Sequence, residues 1–228
     1  MFSVLLYKLE IIKGGLALNY NGKRVPPVVI RRLPRYYRYL GELIRNGVMR
    51  ISSNALSERM DVTASQIRQD FNYFGGFGQQ GYGYNVEHLY MEIGDILGLH
   101  DGYRTAIVGA GNLGRALANH DTFEKRGFKL RAIFDNSPDV VGTTIHGIEV
   151  MHIDVMDDFL AENPIDIGIL AVPRSAVSET ADRLVAGGVK GLLNFSYAEL
   201  KMEKDVAIES VHLSDSLMTL SYKIKQGE

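Results

Sequence analysis

The chain has 228 residues, of which 46% are hydrophobic and 23% charged, as in an ordinary globular protein with one large domain or two small ones. It contains no cysteine, which excludes disulfides, thiolate metal sites and a cysteine nucleophile. No apolar run reaches the ~18 residues of a membrane span, and the N-terminus lacks the marks of a secretion signal, so we expect a cytoplasmic protein.

The net charge of −2 is unevenly distributed along the chain. Residues 1–73 hold 12 Lys or Arg and 5 Asp or Glu, a net charge of +7, whereas residues 74–228 hold 13 and 22, a net charge of −9. A basic first third joined to an acidic body indicates nucleic acid as one partner and a small ligand as the other.

The first part of the chain predicts three helices in close succession. Residues 1–24 contain glycine and asparagine breaks and share no continuing pattern with the next residues, so we expect an extra, disordered segment there. Apolar residues at helical spacing then run from about residue 26 to a stop at Asn46-Gly47. A second helix over 54–60 begins after a Ser52 or Ser53 cap, and a third over 64–73 begins after Thr63. The short turn between the last two is typical of a helix-turn-helix.

Glycine alternates with aromatic residues from Phe74 to Tyr84. This pattern fits either a hairpin, which behind a helix-turn-helix is a wing, or a glycine-rich linker. With the hairpin included, residues 25–84 form a winged-helix domain. Asn85 then caps an amphipathic helix that ends at Gly98, and we expect residues 85–102 to be a connecting helix and linker.

The second part of the chain is organised around a glycine-rich turn. The apolar run over 106–108 breaks into Gly109-Ala110-Gly111-Asn112-Leu113-Gly114 and then into a helical pattern. In dinucleotide folds the first glycine makes the turn, the second admits the pyrophosphate, and the third lets helix and strand pack closely. The next strand ends at Asp135, 21 residues after Gly114, where a carboxylate binds the adenosine ribose and repels a 2′-phosphate. The pattern therefore predicts an NAD(H) site.

Strands and helices alternate beyond Asp135 and predict a parallel sheet of about six strands within a domain over 103–211. Ser175 is expected to cap the helix that ends at Ala186. The last segment, 212–228, is a helix whose apolar stripe has no evident partner in its own domain, which predicts a homodimer. That stripe consists of Leu213, Leu217, Leu220 and Ile224.

Six stretches together carry a resemblance to a known family. They are Arg32–Arg38, Thr63–Asp70, Phe77–Tyr84, Val108–Gly114, Gly191–Phe195 and Leu220–Tyr222. In these stretches the chain resembles the Rex family, bacterial repressors that sense the NADH/NAD ratio. The resemblance implies an α/β chain: a winged helix-turn-helix domain, a Rossmann-like parallel-sheet domain, and a C-terminal helix exchanged within a homodimer. It also implies that NADH, a regulatory ligand, reorients the winged helices and releases them from operator DNA of fermentation and respiration genes.

Two sets of site residues come from the motifs and the resemblance together. The cofactor-binding set is Gly109, Ala110, Gly111, Asn112, Leu113, Gly114, Asp135, Ala171, Val172, Pro173, Asn194 and Phe195. For the last five, simple packing is an equal alternative. The DNA-binding set is Arg31, Arg32, Arg35, Ser65, Gln66, Arg68, Gln69, Phe77, Gln79 and Gln80. The arginines of the first helix suit phosphates, with carboxylates across the dimer as the alternative, and Phe77 equally suits a dimer contact.

An NAD-dependent dehydrogenase is the competing class. The Rossmann part leaves no substrate domain, and no His-Asp pair stands out as catalytic, so we expect no catalytic residue and no metal site. A nucleotide-gated domain that controls protein partners is a third hypothesis.

Overall fold

The computed structural model describes residues 25–79, 82–202 and 205–227. The segment expected to be disordered, 1–24, and the wing residue Gln80 lie outside the described residues. The chain divides into two compact units, with the boundary between His100 and Asp101. None of the helices in the described part of the chain is long and apolar enough to cross a membrane.

In its described residues, the N-terminal unit has four helices and a small sheet. Its helices are α1 (Pro27–Arg45), α2 (Ser53–Met60), α3 (Ala64–Asn72) and α4 (Val86–Ile96), and its strands are β1 (Arg50–Ile51), β2 (Gly78–Gln79) and β3 (Gly83–Asn85). The strands lie in the order β1-β3-β2 and are antiparallel. The glycine-aromatic stretch is therefore a hairpin beside a helix-turn-helix, and not a linker.

Polar side chains cap three of these helices where the sequence predicts. The Ser52 hydroxyl accepts a hydrogen bond from the Ala55 N–H (3.0 Å), and the Thr63 hydroxyl accepts one from the Gln66 N–H (3.1 Å). The Asn85 side chain accepts from the His88 N–H at 2.8 Å. Each cap satisfies an N–H that the first helical turn leaves without a backbone partner.

Helix α4, which we predicted as a connector, is part of the N-terminal core. Val86, Leu89 and Ile93 are fully buried in the same cluster as Leu33 and Leu40 of α1. Because an amphipathic helix gains most of its stability from burying its apolar face, this packing makes α4 part of the unit. The winged-helix unit thus extends beyond the expected end at residue 84.

The C-terminal unit is a sheet with helices on its faces. Its strands are β4 (Arg104–Val108), β5 (Lys129–Asp135), β6 (Thr144–Ile145), β7 (Ile148–His152), β8 (Ile167–Leu170), β9 (Gly191–Asn194) and β10 (Ala207–Ser210). Its helices are α5 (Asn112–Ala118), α6 (Thr122–Lys125), α7 (Met156–Glu162), α8 (Val177–Ala186) and α9 (Leu213–Gln226).

The sheet has seven strands in the order β10-β9-β8-β4-β5-β7-β6, all parallel except β6. The first strand, β4, lies between β5 and β8, so the chain runs outward from it in both directions. Ligands of open parallel sheets bind where the strand order reverses in this way. The fold places the carboxyl end of β4, and the glycine turn after it, at this point.

The expected Ser175 cap is wrong. Helix α8 begins at Val177, one residue later than a Ser175 cap predicts, and the side chain of its N-cap residue, Ala176, makes no capping hydrogen bond. The Ala176 N–H donates to the Pro173 carbonyl at 2.9 Å, so Ser175 lies in a separate turn that precedes the helix.

Asp166 ties together chain segments at the amino ends of the strands. Its carboxylate accepts from the Arg104 N–H (3.0 Å) and Nε (2.9 Å), and lies 3.4 Å from Lys190 Nζ. The hydrogen bonds from the Arg104 side chain, helped by its backbone N–H and by Lys190, lower the pKa of Asp166 to about 2.

We expect Asp166→Asn to lower the Tm at pH 7 and to make the Tm fall less steeply as the pH decreases. A carboxyl whose folded pKa is depressed stabilises the fold above its unfolded pKa, and this contribution disappears as the pH falls through its folded pKa. The window is therefore about pH 4 down to about pH 2. Thermal melts between pH 2 and 7 measure the effect. Asp158→Asn, at an exposed position, is the control. If the Tm of Asp166→Asn falls in acid as steeply as that of the wild type, the lowered pKa assigned to Asp166 is contradicted.

Candidate functional site

The glycine turn after β4 is packed by backbone on one side and open on the other. Gly109 has a φ of +100°, and a Cβ there would overlap the Ala171 carbonyl. A Cβ on Gly114 would overlap the carbonyl oxygen of Gly109. At Gly111, by contrast, an added Cβ has no heavy atom within 4 Å. The outer two glycines are thus required by the fold, whereas Gly111 leaves space for an incoming group.

Asp135, at the end of β5, holds this turn. Its Oδ2 accepts a hydrogen bond from the Ala110 N–H at 2.6 Å, and its Oδ1 accepts one from the Ser137 N–H at 2.8 Å. The residue is half-buried, and an ionised carboxylate has about four acceptor sites, so both oxygens can accept further hydrogen bonds. The structure thus places Asp135 beside the glycine turn, as the strand-turn-helix-strand pattern predicts.

The structure also brings the ends of β8 and β9 to this edge of the sheet. The Ala171 N–H donates to the Val108 carbonyl (2.8 Å), and the Phe195 N–H donates to the Leu170 carbonyl (3.0 Å). Ala171 and Val172 are half-buried and Pro173 is exposed. These apolar residues form a wall next to Gly109, whose added Cβ would meet the backbone of Ala171 and Val172.

The side chain of Asn194 is occupied within the protein. Asn194 is fully buried; its Nδ2 donates to the Ala198 carbonyl (2.9 Å), and its Oδ1 accepts from the Ser196 N–H (2.9 Å) and hydroxyl (2.7 Å). For the Asn194 side chain these contacts favour the alternative of a structural role, in which it holds the turn after β9. Phe195 is half-buried and packs with the apolar cluster on the α5 side of the sheet.

Arg115 is a basic residue beside the turn that we did not predict from the sequence. Its Nε donates to the Ala110 carbonyl at 3.0 Å. A guanidinium has five N–H donors, so the others remain available next to the glycine turn. The signal in the sequence was a basic residue directly after the third glycine.

In the N-terminal unit, α3 presents polar side chains on its outer face. Ser65, Arg68 and Gln69 are exposed and Gln66 is half-buried. Arg68 Nη1 donates to the Ser53 hydroxyl at 2.7 Å, which links α3 to the start of α2. The N-terminal part of this helix is the part that enters the major groove in helix-turn-helix proteins.

The arginines of α1 have different environments. Arg31 is exposed, and exposed Arg35 donates from Nη2 to the Met60 carbonyl at 3.0 Å. Arg32 instead makes a two-pronged ion pair with buried Asp70 of α3, at 2.6 Å from Nε and 2.7 Å from Nη2. We therefore correct the prediction that Arg32 contacts DNA or a carboxylate across a dimer, because its partner lies within its own chain.

The wing also differs in part from expectation. Phe77 is half-buried, and its ring centroid lies 5.7 Å from that of core residue Phe71. The Phe77 ring therefore packs in part on the core, and its contact with DNA or with a second subunit remains a prediction. Gln79 lies in β2 opposite Gly83, so its predicted position in the wing strand is correct.

Comparison with known proteins agrees with these two units. A family model described as "CoA binding domain" matches residues 100–198, and one described as "Putative DNA-binding protein N-terminus" matches residues 24–72. A curated relative from Thermoanaerobacter pseudethanolicus, named redox-sensing transcriptional repressor Rex, is 58% identical over 205 residues, 90% of this chain and 92% of the relative. The chain belongs to the Rex family.

Solved Rex-family structures are similar throughout. The repressor RSP in complex with β-NAD⁺ and operator DNA has a TM-score of 0.84 and 58% identity, over 89% of this chain and 94% of RSP. RSP in complex with β-NADH has a TM-score of 0.83 and 55% identity, over 89% and 95%. The family and the fold class predicted from the sequence are thus confirmed, and the relatives are named as repressors and not as dehydrogenases.

Proposed function

We propose that the N-terminal unit binds operator DNA and that the C-terminal unit binds NADH, whose binding releases the repressor from its operator. The observation that carries this proposal is the pairing, in one Rex-family chain, of a helix-turn-helix with a glycine turn held by Asp135. The proposed DNA contacts are Ser65, Gln66, Arg68 and Gln69 of α3, with Arg31 and Arg35 on phosphates. We place its action in the cytoplasm, on genes of fermentation and respiration.

The proposed release requires only that NADH favour a conformation with low operator affinity. If NADH binds that conformation more tightly, operator affinity falls by the same coupling factor. Preference for NADH over NAD⁺ is explained by the apolar wall at Ala171 and Val172, because burying the positively charged nicotinamide there costs more desolvation than burying the neutral ring.

An operator gel shift at fixed salt, with and without NADH, tests this proposal. We expect a shifted protein–DNA complex that dissociates when NADH is added and stays largely intact with NAD⁺. Operator binding that is lost on addition of NADH would also argue against the third hypothesis, a nucleotide-gated domain that acts only on protein partners. Absence of a shift at any protein concentration contradicts the proposal.

We expect Asp135→Asn to weaken NADH binding about tenfold and to narrow the preference for NADH over NADPH. The amide keeps one acceptor for the turn but loses the negative charge that repels a 2′-phosphate. Titration of both dinucleotides by fluorescence measures the two affinities. Exposed Asp139→Asn is the control, and an unchanged NADH/NADPH ratio in Asp135→Asn contradicts the proposed contact with the ribose.

We propose that α9 forms the homodimer interface. Its apolar stripe is open to solvent within the chain, with Leu217 68% and Ile224 70% exposed, and no residue of α9 is buried. An apolar stripe of four residues that is exposed within its own chain is typical of a surface that packs on another subunit.

Leu217→Glu should therefore convert a dimer into a monomer, since it introduces a charge into the apolar stripe. Sedimentation measures the mass. Thr219→Glu adds the same charge on the other side of α9 and should leave the dimer intact, and a dimeric Leu217→Glu protein contradicts the proposed interface.

A further inference from the structure

The buried carboxylate of Asp70 lies in the recognition helix and accepts four hydrogen bonds. Its Oδ2 accepts from Arg32 Nε (2.6 Å) and from the Tyr36 hydroxyl (2.8 Å). Its Oδ1 accepts from Arg32 Nη2 (2.7 Å) and from Gln66 Nε2 (3.3 Å). Arg32 and Tyr36 belong to α1, whereas Gln66 lies one turn before Asp70 on α3. The carboxylate thus connects α1 to a side chain in the first turn of α3, the recognition helix.

The chemistry of this cluster determines which end of the Gln66 amide faces Asp70. A carboxylate paired with a guanidinium is an acceptor only, so the group it receives from Gln66 must be the NH₂ and not the carbonyl. Burial, with the hydrogen bond to Asp70, raises the pKa of Tyr36 well above its ordinary value, so its hydroxyl also remains a donor. One N–H of the NH₂ is then bound to Asp70, which leaves Oε1 and the second N–H in a fixed arrangement for other partners, with Oε1 as the acceptor.

This orientation matters because a glutamine side chain that is free to rotate can pair with more than one kind of base in the major groove. Rotation of the amide by half a turn exchanges a donor for an acceptor, so an unrestrained glutamine pairs with either kind of base edge. Adenine and cytosine present an amino group in the major groove, at N6 and N4, whereas guanine and thymine present carbonyl oxygens at O6 and O4. An outward acceptor favours the amino bases and is repelled by the keto bases.

We propose that Asp70 positions Gln66 as a hydrogen-bond acceptor, so that Gln66 selects a base with an exocyclic amino group, adenine or cytosine, at one position of each operator half-site. Asp70 is a positioning residue here, and Gln66 is the residue that determines specificity. The inference rests on the proposed contact of α3 with operator DNA.

The test uses the full-length protein and duplexes selected by it from a randomised DNA pool, with affinities measured at fixed salt. At one position per half-site, we expect the protein to prefer the amino base over the keto base about tenfold or more. Removing only the amine, with purine in place of adenine or 2-pyrimidinone in place of cytosine, should weaken binding about 3- to 10-fold. These measurements need no protein variant.

Protein variants then assign the preference to its residues. Gln66→Met keeps the size of the side chain and should abolish the amino-keto preference at that position alone. Asn72→Ala removes an exposed amide of the same helix outside the proposed DNA contacts and is the matched control, which should retain the preference. Gln69→Met removes a different proposed contact and should also retain the preference at this position. Asp70→Asn offers Gln66 both a donor and an acceptor, so the amide is free to turn. Because the change also removes the charge that pairs with Arg32, we expect a lower Tm, and affinities are compared below that Tm. There the amino-keto ratio should fall to about 2-fold.

Three results would overturn the inference. One is selection of guanine or thymine at the position that depends on Gln66. Another is a uniform loss of affinity for every sequence in Gln66→Met, and the third is a folded Asp70→Asn protein that keeps the full preference. If Gln69→Met alters binding and Gln66→Met does not, this inference fails while the proposed DNA contact stands. If neither variant alters binding, α3 does not read the operator and the proposed contact fails as well.

Discussion

Gly111→Ala should yield a protein that folds normally, binds its operator and no longer responds to NADH. Gly111 has a φ of −68° and a ψ of −169°, which alanine adopts without strain, and its added Cβ meets no atom within 4 Å. Replacement of glycine by alanine restricts the unfolded chain, which is worth about 0.4–1 kcal/mol, but alanine is less favourable than glycine at the N-cap of α5. The two effects oppose each other, so we expect the Tm to change little. The same methyl group occupies the space into which a pyrophosphate would enter at the start of α5.

We expect NADH affinity to fall by about 10- to 100-fold, equivalent to about 1.4–2.8 kcal/mol. Calorimetry measures the affinity, thermal melts measure the stability, and the gel shift measures the response. Gly191→Ala is the matched control, since its added Cβ lies 3.8 Å from the nearest atoms, in ordinary contact. Unchanged NADH affinity in a stable Gly111→Ala protein contradicts the assignment of the glycine turn as the cofactor site.

Gly114→Ala separates the two functions of glycine in this turn. Its Cβ would overlap the Gly109 carbonyl oxygen, and backbone cannot move aside as a flexible side chain can. We expect this variant to lose both stability and NADH binding, so its lost binding alone does not identify a ligand site. The comparison with Gly111→Ala distinguishes a residue that maintains the fold from one that leaves room for the ligand.

The features that the sequence predicts correctly depend on local chemistry. Caps such as Thr63 and Asn85, and the strand-turn-helix around Gly109, depend on residues a few positions apart. The position of Asp135 is predictable because neighbouring parallel strands end at the same edge of a sheet. Such relations recur at fixed spacing, so a pattern of residues is enough to predict them.

The features that sequence reasoning missed depend on distant contacts or on very short elements. Arg32 and Asp70 are 38 positions apart, and no periodicity shows that two helices bring a basic residue and an acidic one together. Asn194 ends a strand at the site, yet its amide turns back to Ser196 and Ala198. Strand β6, of two residues, and helix α6, of four, are too short to establish a period.

Asp70→Ala should unfold the N-terminal unit while the C-terminal unit remains folded. The change leaves the Arg32 guanidinium, only 15% exposed, and the buried Tyr36 hydroxyl without their shared acceptor. Removal of one partner of a buried ion pair costs about 3–5 kcal/mol, a large part of the stability of a small unit.

Glu58→Ala, at an exposed position of α2 in the same unit, is the control. In calorimetry we expect the N-terminal unit to melt in a separate transition, below that of the C-terminal unit. Above this first transition operator binding should be lost and NADH affinity retained, because the glycine turn and Asp135 lie wholly in the other unit. A single transition at the wild-type temperature would show that Arg32 and Tyr36 find other partners, and that Asp70 is dispensable to the helix-turn-helix.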